Sequence, residues 1–351
     1  MYRKIKLALF QAAKQTGALR TLLHSEWRRR KLLIVCYHGV SLADEHEWDS
    51  SLFLSNSMFE SRLELLASLG ANILPLGEAL DRLRAGTLPP RAVALTFDDG
   101  FFDFQERAWP LLRRYGFPTT VYLTTYYTAF NRPIFGITAS YLLWKSGRTT
   151  VSLREVTGED TSLPCGNNAE RHAVRTHLEA YANSQGWGGQ ERDQLLSRLA
   201  ASAGASKAEE ELRQRRMLHL LTPEESADLA AQGVDMQLHT HRHRTPLDHA
   251  LFTREIDDNR RAMQQSGAAA APNHFCYPSG VHESEFLPWL RECGVVSATT
   301  CDTGLAQAGG EPLLLPRLVD FSLLKPLEFE AWMAGAPSLL PRKTRHGYRI
   351  G

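Results

Sequence analysis

The sequence has no run approaching the roughly 18–20 consecutive apolar residues of a membrane-spanning helix. Its first apolar stretch, Leu7–Phe10, is too short for a secretory core and is followed by no small-residue cleavage site. Paired cysteines are missing as well. The five present (Cys36, Cys165, Cys276, Cys293, Cys301) are odd in number and scattered, with no CxxC pair among them. That argues against a disulfide framework and a thiolate zinc site, and it favours a reducing compartment. A cytoplasmic location is the expectation. Internal repeats and long low-complexity tracts are also absent, which excludes solenoids and disordered arrays.

What remains is a chain of 351 residues with 43% hydrophobic side chains, enough for a sizeable core in one large domain. The net charge of +1 conceals an uneven distribution. Residues 1–31 carry nine basic side chains against the single acid Glu26, leaving 31 basic and 38 acidic groups, a net of −7, over 32–351. This basic amino-terminal segment reads as a helix. Two roles stay open for it: a solvated lead into the domain, or an interfacial helix whose Ile5, Leu9, Leu22, Leu23 and Trp27 face lipid. The second would place the protein peripherally at the inner face of the membrane.

From residue 32 onward one pattern recurs, an amphipathic helix, a glycine, then a short aliphatic run. Ser57–Leu69 carries a capping box (Ser57, Glu60) and ends at Gly70 before Ala71–Leu74. Residues 104–115 end at Gly116 before Thr119–Leu123. Thr222-Pro223-Glu224-Glu225 opens a third helix, with Gly233 preceding Val234–Leu238, and Ser284–Cys293 leads through Gly294 into Val295–Thr299. With Leu32–Cys36 and Ala92–Phe97 as further buried-type strands, the alternation predicts a parallel sheet with helical crossovers, closed as a barrel. The rhythm lapses over about 126–221, where 168–201 reads as helical and 206–218 is densely charged. This is expected to be a mostly helical insertion in one loop of a domain spanning 32–351.

In parallel α/β folds, chemistry sits where strands run into loops. Two motifs fall there. Thr96-Phe97-Asp98-Asp99-Gly100 ends the run Ala92–Phe97, and adjacent carboxylates at the mouth of a buried strand are costly unless paired. His239-Thr240-His241-Arg242-His243 follows Val234–Leu238. Imidazoles at i and i+4 can grip one ion if the chain coils there, and His239 with His241 is the rival pair if it is extended. A third ligand from Asp99 would complete a two-histidine, one-carboxylate site with open positions for water and substrate.

These two motifs resemble the TFDDG and H-[ST]-x-x-H signatures of the polysaccharide deacetylase (NodB-homology, carbohydrate esterase 4) family. The resemblance implies an irregular, incomplete (β/α) barrel and a metal-dependent hydrolase that removes N-acetyl groups from an N-acetylhexosamine glycan. By it, Asp98 is the general base, and Asp99, His239 and His243 hold a divalent ion, zinc first, with cobalt or nickel fitting the same ligands. The implied partner is an N-acetylated glycan rather than nucleic acid. Two departures stand out. Phe275-Cys276-Tyr277-Pro278-Ser279-Gly280 has cysteine where many relatives carry an arginine, and the late Leu-x-x-His that supplies their acid is missing, His346 being the last histidine. Val35-Cys36-Tyr37-His38-Gly39-Val40 instead resembles the Tyr-His element of the poly-N-acetylglucosamine deacetylase branch, which makes His38 the candidate acid. On the substrate side, Tyr277 marks a backbone N–H for the oxyanion. Arg317, in a Leu-Pro-Arg that resembles the same branch, is a candidate either to orient Asp98 or to make a surface salt bridge. Asp302 is an outsider. Two rival functions remain, a degenerate barrel that binds sugar without turnover and a glycoside hydrolase using the Asp pair.

Overall fold

Seven strands run parallel and close on themselves in simple sequential order. In the computed structural model, which describes residues 2–340, they are β1 (Lys31–Tyr37), β2 (Ala92–Phe97), β3 (Thr120–Leu123), β4 (Asp235–Leu238), β5 (His274–Cys276), β6 (Ser297–Thr303) and β7 (Leu315–Val319). Each pairs with the next, and β7 returns to β1 through Val35↔Leu318 and Cys36↔Val319. The ring is an irregular (β/α) barrel one strand short of eight. His346 lies outside the described residues.

Strand register decides what faces the axis. Side chains alternate across a strand, and in β1 and β2 the set Leu33, Val35, Tyr37, Val93, Leu95 and Phe97 packs outward with Phe59, Leu63 and Phe104 of the surrounding helices. The alternate set, Leu32, Ile34, Ala92 and Ala94, clusters with Tyr122 and Cys276 and with Leu76, Leu80 and Leu83 of the helix Leu76–Ala85. Continuing that second set upward brings Cys36, Thr96 and Asp98 to the axis at the carboxyl end. All six residues of β2 are buried, as expected for a parallel strand covered on both faces.

The helix–glycine–strand units are present with small shifts. Gly116, Gly233 and Gly294 all adopt positive φ, and Thr222 with Glu225 forms the anticipated capping box on Pro223–Ala231. The helix expected from Ser57 runs Asn56–Ser68 instead, with Ser55 as its cap, accepting from Met58 N. Ser55 and Ser57 are equally good capping residues, and the strand geometry before the helix selects the earlier one. Asn72–Ile73 pairs with β2 outside the ring. Residues 126–221 contain helices Phe135–Lys145, Asn168–Ser184, Gly189–Ala203 and Ser206–Gln214, packed around their own apolar cluster that includes Leu142, Val174, Leu178, Leu195 and Leu199.

The amino-terminal segment forms helices Tyr2–Gln15, Ala18–Leu23 and Glu26–Arg29, and it draws three of the five side chains offered to lipid into packing within the protein. Leu23, with Phe10 and Leu19, is buried in the main core, and Leu22 and Trp27 pack against it; Ile5 and Leu9 remain exposed. Among the described residues no helix is long and apolar enough to cross a membrane. Two of the basic groups bind the helix Pro326–Ala334, Arg3 to Glu328 at 2.7 Å and Lys14 to Glu330. Arg28 is fully buried and donates to three carbonyls, Met333 O (2.6 Å), Lys31 O (2.7 Å) and Ala92 O (3.3 Å). It thus ties this segment to the first residues of β1 and β2, at the end of the barrel opposite Asp98. Replacing it leaves buried acceptors without donors. Arg28→Met is therefore expected to lower unfolding free energy by about 2–4 kcal/mol in urea titration. A loss below about 0.5 kcal/mol would show that the segment does not hold the barrel.

Candidate active site

At the carboxyl end of the barrel, β1, β2 and β4 each deliver a side chain from the residue just past the strand, into a cleft of about 280 Å³ lined by His38, Asp98, Asp99, His239 and His243. Adjacent residues on a regular strand would point opposite ways. Asp98 continues the inward-facing set, and Asp99 escapes alternation by taking φ 71°, which turns its carboxylate back over the rim. Gly100 follows at φ 81°, and a Cβ there would run into the Leu123 side chain. The chain after β4 coils in the same manner, with Thr240 at φ 61° and His243 at φ 53°. Non-glycine residues at positive φ are uncommon and gather at functional sites because the surroundings must hold them there.

That coil decides between the rival histidine pairs. His239 Nε2 and His243 Nε2 each lie 3.1 Å from Asp99 Oδ1, with the two rings 5.0 Å apart. His241 points elsewhere, its Nδ1 2.9 Å from Thr125 Oγ1 and its ring edge-on to Tyr126. His239 Nδ1 lies 2.9 Å from Cys276 O, a carbonyl that can only accept. A neutral His239 therefore carries its proton on Nδ1 and presents the Nε2 lone pair to Asp99, the arrangement that metal-binding histidines use. The donor atoms of Asp99, His239 and His243 lie within 4.8 Å of one another. A cation binding nitrogen and oxygen at about 2.0–2.2 Å can bridge such a set, so the residues fit a divalent ion.

Two side chains of the helix His249–Ser266 brace this loop, neither of them anticipated. Asn259, fully buried, accepts from His239 N through Oδ1 and donates to Leu123 O and Thr125 Oγ1. Glu255, one turn earlier and equally buried, accepts from Arg242 N (2.8 Å) and Arg244 Nε (2.7 Å). The available signal was a glutamate and an asparagine at i and i+4 within an amphipathic helix.

Beneath the cleft floor lies a buried ion pair. Arg317 donates from both terminal nitrogens to the two Asp98 oxygens at 2.7 Å each, and its Nε donates to Thr300 O at 2.9 Å. Thr300 sits where β6 slips register against β7, between Thr299↔Leu315 and Thr303↔Arg317. Burial pushes the Asp98 carboxyl upward, but the Arg317 guanidinium, with smaller help from His38 and His239, holds it well below the usual carboxylate range. Asp99 is likewise held low, burial being outweighed by His243 and His239. Two thiols complete the surroundings. Cys36 Sγ and Cys276 Sγ lie 3.4 and 3.3 Å from Asp98 Oδ2. Burial pushes both thiols well up, so they stay protonated and can donate.

The structure corrects two assignments made on the substrate side. Arg317 is fully buried and reaches Asp98 rather than the open cleft, a placement that suits orienting Asp98 and fits neither a surface salt bridge nor contact with substrate. Tyr277 is committed elsewhere. Its N–H donates to Thr299 O, its hydroxyl to Leu313 O, and its ring packs against Phe275 and Phe286. Ser279, two residues on and at φ 55°, lines the cleft instead. His38 is nearly buried, with Nε2 3.9 Å from Asp98 Oδ2 and Nδ1 lacking any hydrogen-bond partner. Asp302 pairs with His282 at 3.5 Å, outside the cleft.

A family model described as polysaccharide deacetylase matches residues 85–145 and 164–298, more than half of the sequence. The chain belongs to the polysaccharide deacetylase family. The unmatched residues between those two stretches fall in the insertion, around the hairpin Thr150–Ser152 and Ser162–Pro164. The poly-beta-1,6-N-acetyl-D-glucosamine N-deacetylase of several Staphylococcus aureus strains is 38% identical over 72 residues, a match that covers 20% of this chain and 25% of that protein. Solved structures similar to it include the Streptococcus pyogenes deacetylase PplD in complex with acetate (TM-score 0.54, 18% identity, 85% of this chain and 96% of that one). Another is IcaB from Ammonifex degensii (TM-score 0.53, 17% identity, 87% and 97%). At such identities the likeness shows the fold.

Arg317→Met would leave the Asp98 charge buried without its partner, an expected loss of about 3–5 kcal/mol in urea-monitored stability. Arg317→Lys keeps the charge but not the two-pronged geometry and should fall between. Wild-type stability in Arg317→Met would show that Asp98 is not held by this pair.

Proposed function

We propose that the protein is a metal-dependent N-deacetylase acting on an N-acetylhexosamine-containing glycan. The observation that carries this reading is the convergence, in one cleft, of a two-histidine, one-carboxylate ligand set with a second carboxylate, Asp98, and an imidazole, His38, whose Nε2 lies 3.9 Å from it. Asp99, His239 and His243 would hold the ion, with zinc first and cobalt or nickel as alternatives. When bound there, a divalent cation supplies Lewis acidity toward water and the acetamide carbonyl.

The remaining chemistry falls to the chain's own side chains. Hydrolysis of the acetamide adds water to the carbonyl carbon, breaks the C–N bond and releases acetate and a free amine. The Arg317 guanidinium favours the ionised form of Asp98, which is the form that can accept the water's proton. Its Oδ1 accepts from Arg317 alone and keeps a second acceptor position for that proton. His38 donates a proton to the departing nitrogen, for which an imidazole is suited without special tuning. Arg317 and the two thiols keep the Asp98 carboxylate in one orientation throughout.

The rivals lose their motivation. A non-catalytic barrel was suggested by the cysteine at 276 and by the departing tail; a guanidinium does reach Asp98, from Arg317, and the tail lies outside the described residues. A glycoside hydrolase needs two carboxyls acting across one bond, whereas Asp98 is clamped by Arg317 and Asp99 faces two imidazoles.

Purified protein should contain about one divalent ion per chain by elemental analysis. His239→Ala and His243→Ala should each empty the site, and His241→Ala should retain the metal; the reverse pattern for 241 and 243 would overturn the ligand set. Asp98→Asn should keep the metal and lose about 10²–10⁴-fold in acetate release. His38→Ala should lose about 100-fold or more on an N-acetyl substrate and less on an aryl acetate, whose leaving group needs little protonation. Full amidase activity in His38→Ala would remove it from the mechanism.

A further inference from the structure

The cleft does not end at the ligand set. Tyr127, Ile134, Ile137 and Arg175 line both it and a second groove of about 530 Å³, which runs between the turn after β3 and the helices of the insertion. That volume lies in the range of small-molecule sites, about 300–1,000 Å³. One wall is aromatic. Tyr126, Tyr127 and Phe130 are 38%, 37% and 48% exposed, with Tyr126 edge-on to the other two at 5.2 and 5.3 Å, so each ring braces its neighbour. The facing wall is polar. Arg175, Glu179 and Asn183, spaced by four on the helix Asn168–Ser184, present one face to the groove, beside the pair Arg132–Asp193. A Cβ at Gly136 would meet the Glu179 carboxylate, so the glycine leaves room for that side chain in its present position. Arg175 Nε, buried at that junction, has no hydrogen-bond partner.

We propose that this groove binds the sugars flanking the N-acetyl group to be cleaved, so that the insertion makes the enzyme selective for oligomeric over monomeric glycan. A pyranose ring has C–H faces that settle on the electron-rich faces of aromatic rings and hydroxyl edges that need donors and acceptors. The two walls supply those two surfaces. A lipid chain would press apolar groups against the Arg175–Glu179 pair and Asn183 and strip their water without offering hydrogen bonds, which is costly. Continuity with the cleft places any sugar held on Phe130 and Tyr126 along the same polymer as one whose acetamide reaches Asp98 and His38. Exposed aromatic clusters of this kind on a protein surface mark interaction sites. The polymer's identity rests on the deacetylase reading; the groove's preference for a glycan does not.

The experiment uses N-acetylglucosamine oligomers from monomer to hexamer and the full-length protein. In wild type, kcat/KM for acetate release should rise with length. In Phe130→Ala and Tyr126→Ala, the advantage of hexamer over monomer should fall by about tenfold, the loss expected from removing an aromatic anchor of a binding site. Phe130→Trp should retain it. Both truncated side chains are exposed, and unchanged melting temperatures would exclude misfolding. Calorimetric affinity for the hexamer, measured on chelator-treated protein, reads the groove apart from catalysis. Weakening by about tenfold in the two alanine variants supports the groove even if no oligomer releases acetate, a result that would sink the deacetylase reading alone. Equal affinity and equal length dependence in all variants would overturn the groove while leaving that reading intact. Absence of hexamer binding by wild type would also overturn it.

Discussion

The Asp98–Arg317 pair inside the barrel is the constraint around which the upper half of the molecule is arranged. A carboxylate carried to the axis by strand alternation cannot stay charged there without a partner, and Arg317 is the guanidinium that reaches it. Its fork requires a third acceptor, provided by Thr300 O at the register slip between β6 and β7. The irregularity of the barrel is thus part of the site. A ladder in perfect register would give Arg317 a different environment and leave Asp98 to lower its charge by protonation. Neutral thiols from β1 and β5 then fill the remaining space without adding charge that would compete with the pair.

Around this fixed centre the rim is held by strain and counter-bracing. Three residues at or beside the ligand set adopt positive φ, each at a cost of order 1–3 kcal/mol. Such conformations persist only where the surroundings over-determine them. Asn259 and Glu255 provide that for the 239–244 loop, through six hydrogen bonds to its backbone and side chains and to the end of β3. Both are buried polar groups that would be liabilities in a helix serving only to cover the sheet. Their presence makes sense as the support that keeps His239 and His243 converging on Asp99.

Much of this was legible in the sequence because the signals were local. Strand and helix periodicity, the glycine stops and the two motifs gave the barrel order and the five cleft residues His38, Asp98, Asp99, His239 and His243. What stayed hidden depended on contacts between distant segments. Ser55 and Ser57 are equivalent as caps until the preceding backbone is placed. Leu23 and Trp27 look as suited to lipid as to a core, and only packing against the helix Pro326–Ala334 distinguishes the two. Tyr277 sits beside the site in sequence, yet the ladder bond to Thr299 O takes its N–H. That Arg317 could orient Asp98 was legible in the sequence, but its depth was not, since a Leu-Pro-Arg triplet carries no sign of which way its side chain turns.

The two ends of the barrel divide the work in a way that follows from these contacts. At the closed end, Arg28 links the amino-terminal helices to the first residues of β1 and β2 with three charge-assisted bonds, and Phe10, Leu19 and Leu23 add apolar burial. One backbone departure lies there, Arg91 at φ 56° just before β2, and it is remote from the cleft. At the open end the backbone is twisted out of preferred regions, a carboxylate pair sits in a cleft, and His38 leaves a ring nitrogen without a partner. A chain of modest net stability can sustain such a rim only if the rest of the barrel exceeds what folding alone requires. The amino-terminal cap and the insertion core, each with its own buried apolar cluster or anchor, supply that excess on opposite flanks. Of the eight non-glycine residues at positive φ among the described residues, four, Asp99, Thr240, His243 and Ser279, gather at this rim, where the turned backbone sets the direction of the ligand residues.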